Sequence, residues 1–222
     1  LKDRPHTLSI SAHTHIQQHF FLDKDAGWLR DDAHHHFNAG TVCGSWWAGM
    51  PDEDGIPHSI MRCGAPNGYN VLHINREKYW LEYVPARRPA SHQLNIFVPD
   101  EVNHAAIGDV AVLVNVFAGS EKSRVDMRVL PHEDWTPLQK VSVVDPSYQA
   151  LFDLHEANKT LPGRPMPKPL NSPHIWSGRL PADLPVGVHV IQARTRDMYG
   201  REFTGSRIFR VRPASEPATS TP

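Results

Sequence analysis

Proline stands at 20 of the 222 positions. Its fixed φ and missing amide proton bar it from helix interiors, so long helices are not expected. Between the prolines lie short runs that alternate apolar and polar residues and are bounded by turn residues. That is the pattern of half-buried strands. In the second part of the chain these runs are Leu94–Val98, Ala111–Phe117, Arg124–Val129, Val141–Val144, Ile175–Arg179, Val188–Arg196 and Phe203–Val211. Asp197-Met198-Tyr199-Gly200 makes the hairpin turn between the last two. This spacing predicts an immunoglobulin-like antiparallel β-sandwich over residues 89–213. Only Pro146–Asn158 has helical spacing, through Tyr148, Leu151 and Leu154. Pro162–Pro173 reads as an extended loop, and residues 214–222, rich in Pro, Ser and Thr, as a disordered tail.

Charge is balanced, with 23 Lys plus Arg against 24 Asp plus Glu. That excludes a strongly basic chain working by phosphate neutralisation, so no nucleic acid is expected as a primary ligand. A hydrophobic content of 40% is enough to build a core. No apolar run reaches the length of a membrane span, and no secretory signal is visible. The opening Leu1-Lys2-Asp3-Arg4-Pro5 reads like the middle of a protein, so the chain is expected to be a fragment or a processed product. Cys43 and Cys63 are too few for a disulfide scaffold; one bridge and two ordinary thiols both stand as readings.

Seven of the 15 histidines fall within the first 36 positions. Thr7-Leu8-Ser9-Ile10-Ser11 is an alternating strand that runs into Ala12-His13-Thr14-His15. Residues at i and i+2 share a face of a strand. At a strand end, two such imidazoles can converge on a metal ion such as Zn, Mn, Fe or Ni. A lone H-x-H also fits two polar residues on a solvated strand end.

Ser11-Ala12-His13-Thr14-His15 resembles the last signature of the calcineurin-like metallophosphoesterases, a strand ending in G-H-x-H. The likeness continues through Phe37–Ser45, expected as a strand of small residues. It then reaches a hairpin, Gly68–Ile74 with Tyr79–Tyr83 around Asn75-Arg76-Glu77-Lys78. The whole is similar to the bacterial subgroup with an added C-terminal β domain. The resemblance implies a mainly β chain. Residues 1–88 would be the C-terminal strands of an α/β metallophosphoesterase-like domain, with Pro85–Pro89 as linker. It implies that His13 binds one divalent ion and His15 a second (Mn, Fe, Zn or Ni), for two-metal hydrolysis of phosphomono- or phosphodiesters. Ala12 replaces the usual Gly. The upstream D-x-H, G-D and G-N-H ligands have no counterpart here, so the site is partial and the isolated chain is expected to be inactive. Pairing with the missing N-terminal part, or homo-oligomerisation, follows as an expectation. So does a periplasmic or secreted location.

Other residues stand as candidates beside blander readings. Trp46 and Trp47 are read as strand neighbours, one in the core and the other lining a substrate wall. His36 is a candidate rim residue and Asn67 a candidate substrate contact, against a solvated approach and a turn. His34 and His36 should point one way and His35 the other, and His19 reads as polar surface. Asp52-Glu53-Asp54 fits a solvated turn or a cation or sugar contact, and Arg87-Arg88 a surface pair or a phosphate contact. The six arginines of Arg194–Arg212 fit the polar face of a one-sided sheet. Trp135 and Trp176 read as core or inter-domain residues. Two further functional readings remain: a non-catalytic binding or interaction module with a structural histidine segment, and a simple metal-binding protein using the clustered histidines.

Overall fold

The computed structural model describes residues 7–157, 160 and 162–214. Residues 1–6, Asn158 and the greater part of the expected tail, 215–222, lie outside the described residues.

The chain opens with β1 (Leu8–Ser11), β2 (Gln18–Leu22) and β3 (His34–Asn38) in a sheet of order β1-β3-β2. β3 runs parallel to β1 and antiparallel to β2. Burial here corrects two expectations. His34 and His35 are buried rather than on a solvated approach, and His19 is buried rather than on the surface. The cause is hydrogen bonding, since a polar group can leave water when its partners come with it. On one face of β3, His34 and His36 bond to serines of β1. On the other, His35 Nε2 lies 2.9 Å from His19 Nδ1, and His35 Nδ1 lies 2.6 Å from the Tyr79 hydroxyl.

β4 (Gly68–Asn75) and β5 (Lys78–Pro85) form the expected hairpin, paired from Gly68↔Pro85 to Asn75↔Lys78. The remaining elements are β6 (Leu94–Phe97), β7 (Glu101–Asn103), a 3-10 turn at His104–Asp109, β8 (Ala111–Val116), β9 (Arg124–Val129), β10 (Thr136–Pro137), β11 (Gln139–Val144), α1 (Pro146–Ala157), β12 (Asn171–Arg179), β13 (Gly187–Arg196) and β14 (Glu202–Arg212). They make a five-stranded sheet, β10-β9-β13-β14-β7, and a four-stranded sheet, β11-β12-β8-β6. Alternate residues of both sheets, among them Ile96, Val112, Val114, Met127, Trp176, Ile191 and Phe209, fill the space between them. The chain is thus mainly β, with a two-sheet sandwich as its largest unit. One edge departs from the all-antiparallel expectation: β7 pairs parallel to β14. The chain leaves β6 in one sheet and, within a few residues, joins the other beside its last strand. The extended loop expected to reach Pro173 ends earlier, because β12 begins at Asn171. Pro173 is accommodated within that strand, where the pairing with β11 skips its position through a register shift between Val141 and Val143.

The N-terminal segment is bonded into the sandwich. Gln17 Nε2 donates to the Phe117 carbonyl at 2.8 Å, and Asn115 Nδ2 donates to the Cys63 carbonyl at 2.9 Å. Met61, Cys63, Ala65 and Tyr83 pack with Phe117. Asn115 also donates to Asp145 Oδ2 at 2.7 Å, and its Oδ1 lies 2.6 Å from His174 Nδ1. Asp145 caps α1 by accepting from the Tyr148 amide at 2.9 Å, with Pro146 in the first turn. Gly64 packs so tightly on this carboxylate that a Cβ there would lie 2.1 Å from its carbon. Among the described residues no helix is long and apolar enough to cross a membrane.

Two outcomes follow. Asp145→Ala removes a cap and leaves one proton of the Asn115 amide without its acceptor, and should lower unfolding free energy by about 2–4 kcal/mol; a chemical denaturation midpoint equal to wild type would contradict the network. Burial also lowers the pKa of His19 to about 3, of His35 to about 4 and of His174 to about 3. Unfolded imidazoles protonate near pH 6.5, so between that pH and about 4 the unfolded state holds more protons. Stability should be flat above pH 6.5 and fall below it, with a slope approaching about 1.4 kcal/mol per pH unit for each histidine. Urea unfolding at pH 7.5, 6.0 and 5.0 measures it, and equal free energies at the extremes would refute it.

Candidate metal and substrate site

β1 ends at Ser11 and β2 begins at Gln18, and the six residues between them form a loop at the end of the small sheet. His13 and His15 both lie in this loop with positive φ, 90° and 56°. Non-glycine residues avoid that region, at about 1–2 kcal/mol each, and such strain gathers at functional sites. The loop is held from β3. Asn38 Nδ2 donates to the Ile16 carbonyl at 2.9 Å and to Thr14 Oγ1 at 2.5 Å. His13 is exposed. His15 is half-buried, and its Nδ1 lies 2.5 Å from the Gly44 carbonyl. A carbonyl only accepts, so Nδ1 carries the proton and Nε2 keeps its lone pair. Metal-binding histidines are oriented in this way, one nitrogen anchored to a backbone carbonyl and the other free to ligate.

Gly44 is positioned by necessity. Its φ is 51°, and a Cβ there would lie 1.4 Å from the Ser59 carbonyl oxygen. Only glycine lets these two loops cross, and the crossing sets the carbonyl that receives His15. Past Asn38 the expected strand is absent: β3 stops there and residues 42–47 turn. Strand alternation therefore does not apply to Trp46 and Trp47. Neither is a core residue, with exposures of 39% and 46% and φ of 58° and 54°. Trp46 stacks on the His15 ring at 3.8 Å and 18°. It forms a wall against that imidazole, while Trp47, the next residue, is exposed.

The other predicted residues do not gather there. Both ring nitrogens of His36 are taken, Nδ1 by Ser9 at 2.7 Å and Nε2 by Ser11 at 2.9 Å, which leaves none for a substrate. Asn67 is buried and donates to the Val42 carbonyl at 2.8 Å, bracing the 42–47 turn. It also borders a separate cleft of about 540 Å³ with Asp52, His58, Arg87 and His92. Asp52 closes its own turn by accepting from the Asp54 and Ile56 amides, and Arg87 bonds to it at 2.8 Å. The arginine stripe is largely ion-paired: Arg194 with Asp126, Arg201 with Asp197, Arg207 with Asp100 and Arg212 with Glu101. Trp176 is core, whereas Trp135 lies between Arg128 and Arg194 on the sheet's outer face. Cys43 and Cys63 are free thiols, and burial pushes Cys63 up to about 11.

Sequence reasoning missed Asn38 and Gly44 as the residues that shape the loop. Their only signal was a short polar residue and a glycine just beyond apolar positions. Among the described residues no group of three or more His, Cys, Asp or Glu gathers to hold a metal ion. His15 fits a metal as one ligand of a larger set, not as part of a complete one.

No curated protein matches the chain. Among solved structures, CopC from Methylosinus trichosporium OB3b aligns with a TM-score of 0.28 and 14% identity, covering 55% of this chain and 94% of that one. A likeness that slight carries no argument about function. The family described as the C terminal of calcineurin-like phosphoesterase matches residues 36–203, which span the middle of β3, the hairpin and nearly all of the sandwich. Together with the mainly β fold, that match places the chain in the family of C-terminal domains of calcineurin-like phosphoesterases.

Proposed function

We propose that this chain supplies one wall of a two-metal phosphoesterase site, with residues 1–88 closing the catalytic domain and residues 89–213 as its accessory sandwich. His13 and His15 would each reach one of two divalent ions. The observation that carries this reading is His15: Nδ1–H is anchored on the Gly44 carbonyl, Trp46 is stacked on the ring, and Nε2 is left as a free lone pair. When bound, the ions supply an activated water and charge neutralisation for in-line displacement at phosphorus. The chain's own residues orient the imidazoles, and Trp46 and Trp47 exclude water on the leaving-group side. The remaining ligands would come from the catalytic domain. Its strands have a place to join, since β1 is an edge strand that pairs only with β3 among the described strands. Pairing there would also cover the exposed Ile10. A periplasmic or secreted location goes with this reading on the resemblance alone.

The alternative, a non-catalytic module with a structural histidine segment, draws support from His19, His34, His35 and His36. Their bonds to serine, tyrosine and each other are structural. The same bonds count against a simple histidine sink for metals.

Turnover of p-nitrophenyl phosphate and bis-p-nitrophenyl phosphate with added Mn²⁺ tests the proposal. The 222-residue chain alone should show none. Joined to a catalytic domain carrying the other ligands, it should show turnover that His13→Ala or His15→Ala lowers by at least 100-fold. Robust turnover by the isolated chain, or full activity in both variants, would overturn it.

A further inference from the structure

β1 and β3 run parallel in the register Ser9↔His36 and Ser11↔Asn38. Alternate side chains of the two strands therefore stand side by side on one face of the sheet. There they form a continuous chain of hydrogen bonds. Thr7 Oγ1 lies 3.1 Å from His34 Nδ1, and His34 Nε2 lies 2.8 Å from Ser9 Oγ. Ser9 Oγ lies 2.7 Å from His36 Nδ1, and His36 Nε2 lies 2.9 Å from Ser11 Oγ. Ser11 Oγ donates to Asn38 Oδ1 at 3.1 Å.

One backbone carbonyl fixes the direction of every link. The Ile16 oxygen only accepts, so the Asn38 atom facing it is Nδ2, and Oδ1 must accept from Ser11. Ser11 has one proton, already spent, so it accepts from His36 Nε2–H. A ring that carries one proton then accepts at Nδ1 from Ser9. By the same step His34 donates from Nε2 to Ser9 and accepts at Nδ1 from Thr7. Both imidazoles are held as Nε2–H tautomers, and every polar side-chain proton of the chain has an acceptor. The far end of the chain is the Asn38 amide, whose two protons hold Thr14 and Ile16 on either side of His15.

We propose that Thr7, His34, Ser9, His36, Ser11 and Asn38 are positioning residues, a one-directional ladder that holds the His13–His15 loop in the shape that presents its imidazoles to metal. The proposal rests on the function proposed above for His13 and His15. Its chemistry is orientation rather than catalysis. The ladder fixes the rotamer and flip state of Asn38, and Asn38 fixes a loop whose backbone is strained at both histidines.

The test uses the 222-residue chain and NMR. Ring ¹⁵N shifts at pH 7.5 should show Nε2–H tautomers at both His34 and His36. Mn²⁺ titration should broaden the His15 ring resonances selectively, and Ser11→Ala should raise the Mn²⁺ concentration needed by at least 5-fold. Ser11→Thr, which keeps the hydroxyl, should restore the wild-type response. Asn38→Asp, a near-isosteric change that removes both amide protons, should act like Ser11→Ala. Dispersion of the sandwich resonances reports folding in each variant. Nδ1–H tautomers at His34 or His36 would overturn the ladder. Unchanged broadening in both Ser11→Ala and Asn38→Asp, with His15→Ala abolishing it, would overturn positioning while sparing the metal reading. No selective broadening in the wild type would overturn both, and the tautomers would still report separately on the ladder's direction.

Discussion

Three consecutive histidines can sit in the central strand of a small sheet only if their ring nitrogens bring hydrogen-bond partners with them. Imidazole left unpaired in a dry site forfeits hydration worth about 1–3 kcal/mol, and three such losses would exceed what a three-stranded sheet can offset. β3 meets the requirement on both faces. Serines of β1 serve His34 and His36, and Tyr79 with His19 serves His35. The parallel pairing of β1 with β3 follows from this, because only that register sets Ser9 beside His36 and Ser11 beside Asn38.

The same dependence reaches beyond the small sheet. Tyr79 belongs to β5, and the Lys122 ammonium lies 3.8 Å above the Phe21 ring that stacks on His35. Gln17, immediately before β2, donates to the Phe117 carbonyl at the end of β8. The sandwich thus provides the partners that the histidine strand lacks locally. Conversely, the first segment covers Asn115 and Asp145, which would otherwise be polar groups at the open end of the sandwich. Each part leaves polar atoms that the other satisfies, and this explains how residues 36–203 can be matched as one family unit although they cross from one sheet system to another.

Which parts of this were legible depends on whether the driving force is local. β9 could be read at Arg124–Val129 because Val125, Met127 and Val129 alternate into an apolar core. The β4–β5 hairpin and α1 were legible for similar reasons, a turn between alternating runs and the helical spacing of Tyr148, Leu151 and Leu154. β2 and β3, Gln-His-Phe-Phe-Leu and His-His-His-Phe-Asn, carry no such alternation. The partners that let these histidines leave water are distant in sequence, Ser9 and Ser11 for His34 and His36, and Tyr79 and each other for His35 and His19, and no local window contains them. The alternation Thr7, Ser9, Ser11 was visible, as was His34, His36, Asn38; that the two face each other was not. Trp46 and Trp47 were misjudged for the converse reason. A strand was expected to continue past Asn38, and Gly44 with its positive φ turns the chain instead.

The loop carrying His13 and His15 shows why the ladder matters energetically. Positive φ at two non-glycine residues costs about 2–4 kcal/mol in all. The hydrogen bonds that oppose it are two from Asn38 and one from His15 to Gly44, contributing about 0.5–1.5 kcal/mol each. The two totals are of the same size, so the loop has little margin. Turning the Asn38 amide over would replace both donors with an acceptor facing the Ile16 carbonyl, leaving only the His15–Gly44 bond and the Trp46 stack to resist relaxation. Ser11 opposes that turn, because its proton needs Oδ1 on its own side. Strain at the histidines, the flip state of one amide and the tautomers of two buried imidazoles are therefore a single coupled equilibrium, and a change at Thr7 or His34 should be felt at His15 before it is felt in the sandwich core.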